Sequence, residues 1–165
     1  MNRPERIPPG PGQESAWDYP RPPRLDTVHV QCEVVFGGHT IAVTLDPLRI
    51  CETSHPPNYY FPPDSVLAGA LEPTEHQSFC EWKGVATYFN VVRYDQVATH
   101  AAWTYRDPSP GYERLRDHVA FYPQRVEACL VEGELVRAQP GGFYGGWITT
   151  HVVGPFKGGP GSSRW

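Results

Sequence analysis

The alternation of apolar and polar positions marks strands along most of the chain. From Val28, VHVQCEVVF and TIAVTLD are two β-rich runs around a GGH turn, the signature of a β-hairpin. After Pro47, LRICET begins a third strand. SHPPNYYFPPDS then interrupts with four prolines and reads as an irregular loop. The block GVATYFNVVRYDQVATHAAWTY splits into two strands around a turn near Arg93 to Gln96. In it Val85, Thr87, Phe89 and Val91 alternate with Ala86, Tyr88, Asn90 and Val92, so both faces are occupied. That suits a wall with one face on a core and the other on a pocket or loop. RVEACLVEGELVRA reads as a final hairpin turning at Gly133.

Helical spacing is sparse. DSVLAGAL predicts a single turn capped by Asp64. DPSPGYERLRDHVAFYP gives the best helical pattern, with Ser109 as N-cap and Tyr112, Leu115, Arg116 and Val119 on one side. The coarse order is three strands, a loop, a short helix, two strands, a helix and two strands. It predicts a mainly β fold: a small antiparallel barrel or tent-like sheet with one or two short helices.

Composition adds the ends of the chain. Residues 1–24 hold seven prolines and two glycines and read as a proline-rich arm, with Trp17 and Tyr19 able to dock it. Residues 25–138 form the expected β domain. Residues 139–158, which contain PGGFYGGWITTHVVGPFKGG apart from its last glycine, are too glycine-rich for a regular strand and too aromatic for a free tail. They read as an ordered strap, and residues 159–165 as a frayed end. Nineteen prolines and sixteen glycines argue against long helices, while 13% aromatic residues still permit a dense small core.

A net charge of −4 provides no general attraction to nucleic acid or anionic membrane. No apolar run approaches the ~20 residues of a membrane span. MNRPERIPPGPGQES contains no apolar stretch of a secretory leader, so a cytoplasmic location is the default expectation. Cys32, Cys51, Cys80 and Cys129 are scattered without a C-x-x-C pair and read as free buried thiols. His76 and Cys80 are four apart and His55 lies in the proline loop; without a third clustered ligand no metal is expected, and no cofactor either. Phosphate-loop, dinucleotide and nucleophile-elbow motifs do not occur.

Four segments carry candidate chemistry: CETSHPPNYYFPP (51–63), FCEWKGVATY (79–88), AAWTYRDP (101–108) and AFYP (120–123). Glu52, Tyr60-Phe61-Pro62, Cys80, Trp82-Lys83-Gly84, Ala86, Tyr88, Ala102-Trp103, Tyr105, Pro108 and Ala120-Phe121 together resemble the domain-of-unknown-function family 427, a bacterial and fungal family of small β domains. The likeness covers about residues 30–135, and longer members share the strap. It implies a compact β-tent similar in outline to methionine sulfoxide reductase B and the ligand-binding domain of cereblon, and it implies no activity. Glu81 departs from the family pattern, which has proline there. A nucleotidyltransferase label attached to the family finds no paired carboxylates beside a Gly-Ser loop in this chain.

If FCEWKG is extended, Cys80 and Trp82 share one face while Glu81 and Lys83 share the other. Cys80 then reads as packing beside the site rather than as a nucleophile. Lys83 precedes Gly84, a point of close backbone approach. Glu52, a lone acid in a neutral strand, is its expected partner, in a structural or a functional pair. Tyr59, Tyr60, Tyr88, Tyr105 and Tyr122, with Trp82 and Trp103, either line a pocket or fill the core.

Two functions stay open. One is a small-molecule-binding domain, with Lys83 and Glu52 as acid–base or anion-binding groups and proton transfer or non-metal hydrolysis as the fitting chemistry. Its ligand would meet Tyr60, Tyr88, Trp103, Tyr105, Tyr59, Trp82 and Cys80. The other is an interaction module reading a peptide or modified residue with an aromatic pocket. Sheet edges and the strap leave room for a homodimer.

Overall fold

The computed structural model describes residues 3–165 and is built almost entirely of short strands. The first six are β1 (Glu14–Ser15), β2 (Arg24–Thr27), β3 (Cys32–Phe36), β4 (His39–Thr44), β5 (Leu48–Cys51) and β6 (Asn58–Tyr60). Three long strands follow: β7 (Leu71–Cys80), β8 (Gly84–Arg93) and β9 (Gln96–Thr104). The rest are β10 (Val119–Phe121), β11 (Ala128–Val131), β12 (Glu134–Leu135), β13 (Arg137–Ala138), β14 (Trp147–Ile148) and β15 (Val152–Val153).

Two four-stranded antiparallel sheets dominate, ordered β10-β9-β8-β7 and β12-β11-β3-β4. A third, β2-β5-β6, is also antiparallel. Phe61 and Val119 exchange backbone hydrogen bonds of 2.7 and 2.9 Å and tie this small sheet to β10. Each sheet begins and ends on a different strand, so the expected closed barrel does not form.

The hairpins lie where the pattern placed them. Gly37 and Gly38, at φ 61° and 75°, make the left-handed turn between β3 and β4. Tyr94 and Asp95 separate β8 from β9, and Gly133 turns β11 into β12. Several strands escaped the pattern, among them the short pairs at the chain ends and β7 and β6 near the cleft. β7 is an exposed sheet edge carrying Pro73, with no apolar face to mark it. β6 lies inside the proline loop, where three residues are too few for alternation to show.

No α-helix forms among the described residues. The segment expected to be the best helix contains one 3₁₀ turn, Glu113–Leu115, entered from Tyr112 rather than capped by Ser109. Pro110 precedes Gly111 at φ 95°, and Asp117 at φ 60° stops propagation. The spacing instead buries Tyr112 and Leu115 under a compact turn, with the Tyr112 hydroxyl donating to the Pro23 carbonyl at 2.6 Å. Likewise Asp64 caps nothing; the turn is Pro63–Ser65, closed by the Ser65 hydroxyl on the Pro62 carbonyl.

Three apolar clusters result, the smallest formed by Ala16, Tyr19, Cys51 and Val152. Val34, Ile41, Phe61, Val91, Phe121 and Trp147 centre the first, between the large sheets. Leu48, Ile50, Tyr60, Trp103, Tyr105 and Leu115 centre the second, under the small sheet. Each fully buried side chain of this size stabilises the fold by ~1.5–3 kcal/mol.

The chain ends are packed onto this body. β1 pairs in parallel with β15, and the Trp17 indole donates to the Pro155 carbonyl at 2.9 Å. Trp147 of the strap is a core residue, and its indole donates to the Phe121 carbonyl at 3.0 Å. The end expected to fray is folded back: Ser162 is buried and the Trp165 ring lies 5.7 Å from that of Trp17. Among the described residues no helix is long and apolar enough to cross a membrane.

Candidate functional site

Cys80 pairs with Gly84 across the β7–β8 hairpin, so Glu81, Trp82 and Lys83 are its turn. Gly84 has φ 106°, and a Cβ there would press to 3.2 Å on the Ser109 hydroxyl. The Ser109 amide donates to the Lys83 carbonyl at 2.9 Å and fixes the turn from behind. The extended reading of FCEWKG is therefore corrected. A turn does not alternate, and Cys80, Trp82 and Lys83 all line the same cleft.

That cleft encloses about 760 Å³ between the β5–β6 strands, the β7–β9 sheet and the strap. Of the expected residues, Glu52, Tyr60, Cys80, Trp82, Lys83, Tyr88, Trp103 and Tyr105 come together in it. Tyr59 does not. Successive residues of β6 point to opposite faces, so Asn58 and Tyr60 face the cleft while Tyr59 enters the first core cluster. Its ring lies 5.4 Å from that of Trp147, and burial pushes its hydroxyl pKa up to about 12.

Lys83 is 7% exposed, with Nζ 5.7 Å from the centre of the Tyr105 ring. The expected Glu52–Lys83 ion pair is absent among the described residues. Glu52 Oε2 instead lies 3.3 Å from Arg21 Nε and 3.7 Å from His55 Nε2. The docked N-terminal arm explains this: Arg21 also donates to the Thr53 carbonyl at 2.8 Å, which places its guanidinium over Glu52. Burial opposes the Lys83 charge and Glu52 in the same cleft favours it, and on balance the pKa is held above the ordinary lysine value. The group is an ammonium at neutral pH. It suits anion binding and does not suit a neutral base.

Tyr60 is completely buried, and its hydroxyl has no hydrogen-bond partner among the described residues. The Trp103 ring meets it edge-on at 6.2 Å, and the Tyr105 ring lies 6.3 Å away. Burial raises the Tyr60 pKa and also that of Tyr105, so both keep their protons. The Tyr88 hydroxyl is 2.8 Å from that of Ser78 at the β7 side.

Sequence reasoning missed a second group of wall residues. His55 sits beside Glu52, with Tyr144, Lys157 and Arg125 further round the cleft. Gln139, buried behind His55, accepts from the Gly146 amide at 3.2 Å and donates to the Lys157 carbonyl at 2.8 Å. Those two backbone bonds fix the amide orientation, so its remaining hydrogen donates to His55 Nδ1 at 3.0 Å. The His55 proton is therefore on Nε2. Burial first, then Lys157, Arg21 and Lys83, lowers the His55 pKa to about 3. The only sequence signal for this wall was the aromatic content of the GGFYGG strap. Among the described residues no three His, Cys, Asp or Glu side chains could hold a metal ion together.

The profile of the family described as a domain of unknown function, DUF427, matches residues 24–132. The chain belongs to this family. A comparison with curated proteins finds no match. The family region supplies Glu52, His55, Tyr60, Lys83 and Trp103, whereas Gln139, Tyr144 and Lys157 lie beyond it. The cleft is thus a family core closed on one side by the strap.

Proposed function

We propose that the protein is a small-molecule-binding β domain whose cleft takes an anionic ligand through Lys83. One observation supports this reading above the others: a nearly buried ammonium opens into an aromatic cleft without a carboxylate at ion-pair distance among the described residues. Holding such a charge costs stability unless a ligand or a specific neighbour compensates. Trp103, Tyr105, Trp82 and Tyr88 favour a flat partner. In this reading the β10-β9-β8-β7 sheet and the small β2-β5-β6 sheet are the sides of a tent-like fold over the cleft.

Native mass spectrometry of purified protein and of Lys83→Met tests the proposal. A small acidic molecule retained by the first and lost from a folded second is the expected outcome. No retained molecule, together with no binding of an acid fragment set seen by ligand-observed NMR, would sink it.

The interaction-module reading draws on a separate observation. Phe79 and Phe143, each 76% exposed, stand at the rim of the cleft. If the cleft reads a peptide, Phe79→Ser with Phe143→Ser abolishes capture of that peptide and leaves small-acid binding unchanged.

A further inference from the structure

We propose that the floor of the cleft recognises a planar carboxylic acid bearing an N–H or O–H donor next to its acid group, with Lys83 and Tyr60 holding the acid oxygens, His55 donating from the side and Asn58 accepting the donor. The inference rests on the small-molecule reading above and narrows it to one ligand class.

Four polar groups converge without satisfying one another. Lys83 offers a buried ammonium. The Tyr60 hydroxyl is buried on a residue with 0% exposure that lines the cleft, and it has no partner at hydrogen-bond geometry among the described residues, although the Trp103 indole and the Tyr105 hydroxyl lie beside it. A buried phenol that keeps its proton is a donor in search of an acceptor. Asn58 Oδ1 is likewise buried without a partner among the described residues. It lies two residues before Tyr60 on β6, hence on the same face of the strand. The floor therefore presents two donors and, one strand step away, an acceptor.

His55 adds a donor whose polarity is set from behind. Gln139 occupies Nδ1, which leaves Nε2–H toward the cleft and 3.7 Å from Glu52, too far for a hydrogen bond. Gln139 is in this sense a positioning residue. It makes the imidazole a donor of fixed direction rather than a group free to exchange tautomers.

Charge selects a monoanion. One ammonium lies at the floor, while Glu52 and Glu81 also face the cleft and disfavour a doubly charged phosphate. Lys157 and Arg125 stand further round the cleft, each over a tyrosine ring. Lys157 Nζ lies over the Tyr144 ring at 5.9 Å, and Arg125 lies over Tyr122 while donating to the His100 carbonyl at 2.8 Å. The aromatic walls select a flat body.

Indole-2-carboxylate carries both features and serves as the probe, with 1-methylindole-2-carboxylate, indole-2-carboxamide and phenyl phosphate as controls. Binding is read from amide shifts of cleft residues in the full chain. Indole-2-carboxylate should bind at millimolar concentration or better, and the carboxamide about tenfold more weakly. Tyr60→Phe, which keeps the ring, should weaken the acid several-fold while its thermal midpoint holds or rises. The N-methyl compound should lose about tenfold against the native protein and little against Asn58→Ala. Nitrogen spectra should show His55 protonated at Nε2, and Gln139→Leu should erase that preference.

Equal binding of acid and amide, or no effect of Tyr60→Phe, overturns the inference while the cleft remains a small-molecule site. Tighter binding of phenyl phosphate overturns the choice of a carboxylate. Failure of all four compounds overturns the inference as well, and the retained-ligand measurement above then decides separately whether the wider reading survives.

Discussion

Lys83 and Glu52 line one cleft without pairing, because Glu52 is held 3.3 Å from Arg21 while the Lys83 amine faces the Tyr105 ring. This separates two roles for the lysine. A lysine kept for a structural ion pair is lost at a cost of ~3–5 kcal/mol, since its partner is left buried and unpaired. Here Glu52 keeps Arg21. Lys83→Met, which retains most of the stem and removes an uncompensated buried charge, should leave the unfolding free energy unchanged or raise it. Urea unfolding of both proteins measures this, and a loss near the structural figure would contradict the assignment.

His55 makes stability depend on pH in a defined direction. Its pKa is lowered from 6.5 to about 3 in the folded protein. As pH falls below 6.5 the unfolded chain binds a proton at this site that the folded chain refuses. Stability from the neutral imidazole is complete above that value and is lost as pH falls toward the folded pKa. The slope contributed by this one group is at most about 1.4 kcal/mol per pH unit. His55→Gln keeps an acceptor for Gln139 and should flatten the curve between pH ~4.5 and ~6 relative to native protein. Parallel curves for the two would remove His55 as the cause.

The hairpins and the position of Lys83 at a cleft were legible because each left a local signal: a Gly-Gly or Gly-centred turn, or a lysine before a glycine. The opposite faces assigned to Cys80 and Lys83 were nonetheless wrong, since residues 81–83 turn rather than alternate. Tyr59 and Tyr60 could not be told apart, because a three-residue strand carries no readable period and only its pairing with β5 sets which tyrosine faces inward. Arg21 took Glu52 from Lys83 through docking of the proline-rich arm, a long-range contact with no sequence spacing to announce it. Gln139 and Lys157 reach the site by the same kind of contact, through a strap whose glycines obscure any pattern.

The strap glycines are not equivalent, and a paired substitution shows which one is structural. Gly141 and Gly142 both have positive φ, 92° and 74°. A Cβ on Gly141 would run into the Gly158 carbonyl, whereas one on Gly142 meets nothing. Gly142→Ala should cost only the left-handed backbone penalty, ~1–2 kcal/mol. Gly141→Ala must also push two backbone segments apart and should cost clearly more. Thermal unfolding compares them directly, and equal shifts would mean that the Gly141–Gly158 approach yields without penalty.

Trp147 decides whether the strap belongs to the fold or merely covers it. It is 1% exposed, packs against Tyr59 and Phe61 at ring distances of 5.4 and 6.0 Å, and donates its indole hydrogen to the Phe121 carbonyl. Truncating a side chain so placed removes its packing, leaves a cavity and orphans a buried carbonyl. Trp147→Ala should therefore cost ~3–5 kcal/mol. The same variant should loosen Gly146, which holds Gln139, so the pH dependence assigned to His55 should weaken with it. Denaturant midpoints at pH ~7 and ~5 measure both effects together. A Trp147→Ala protein that loses under about 1 kcal/mol and keeps the native pH profile would show that the strap neither completes the core nor sets the His55 proton.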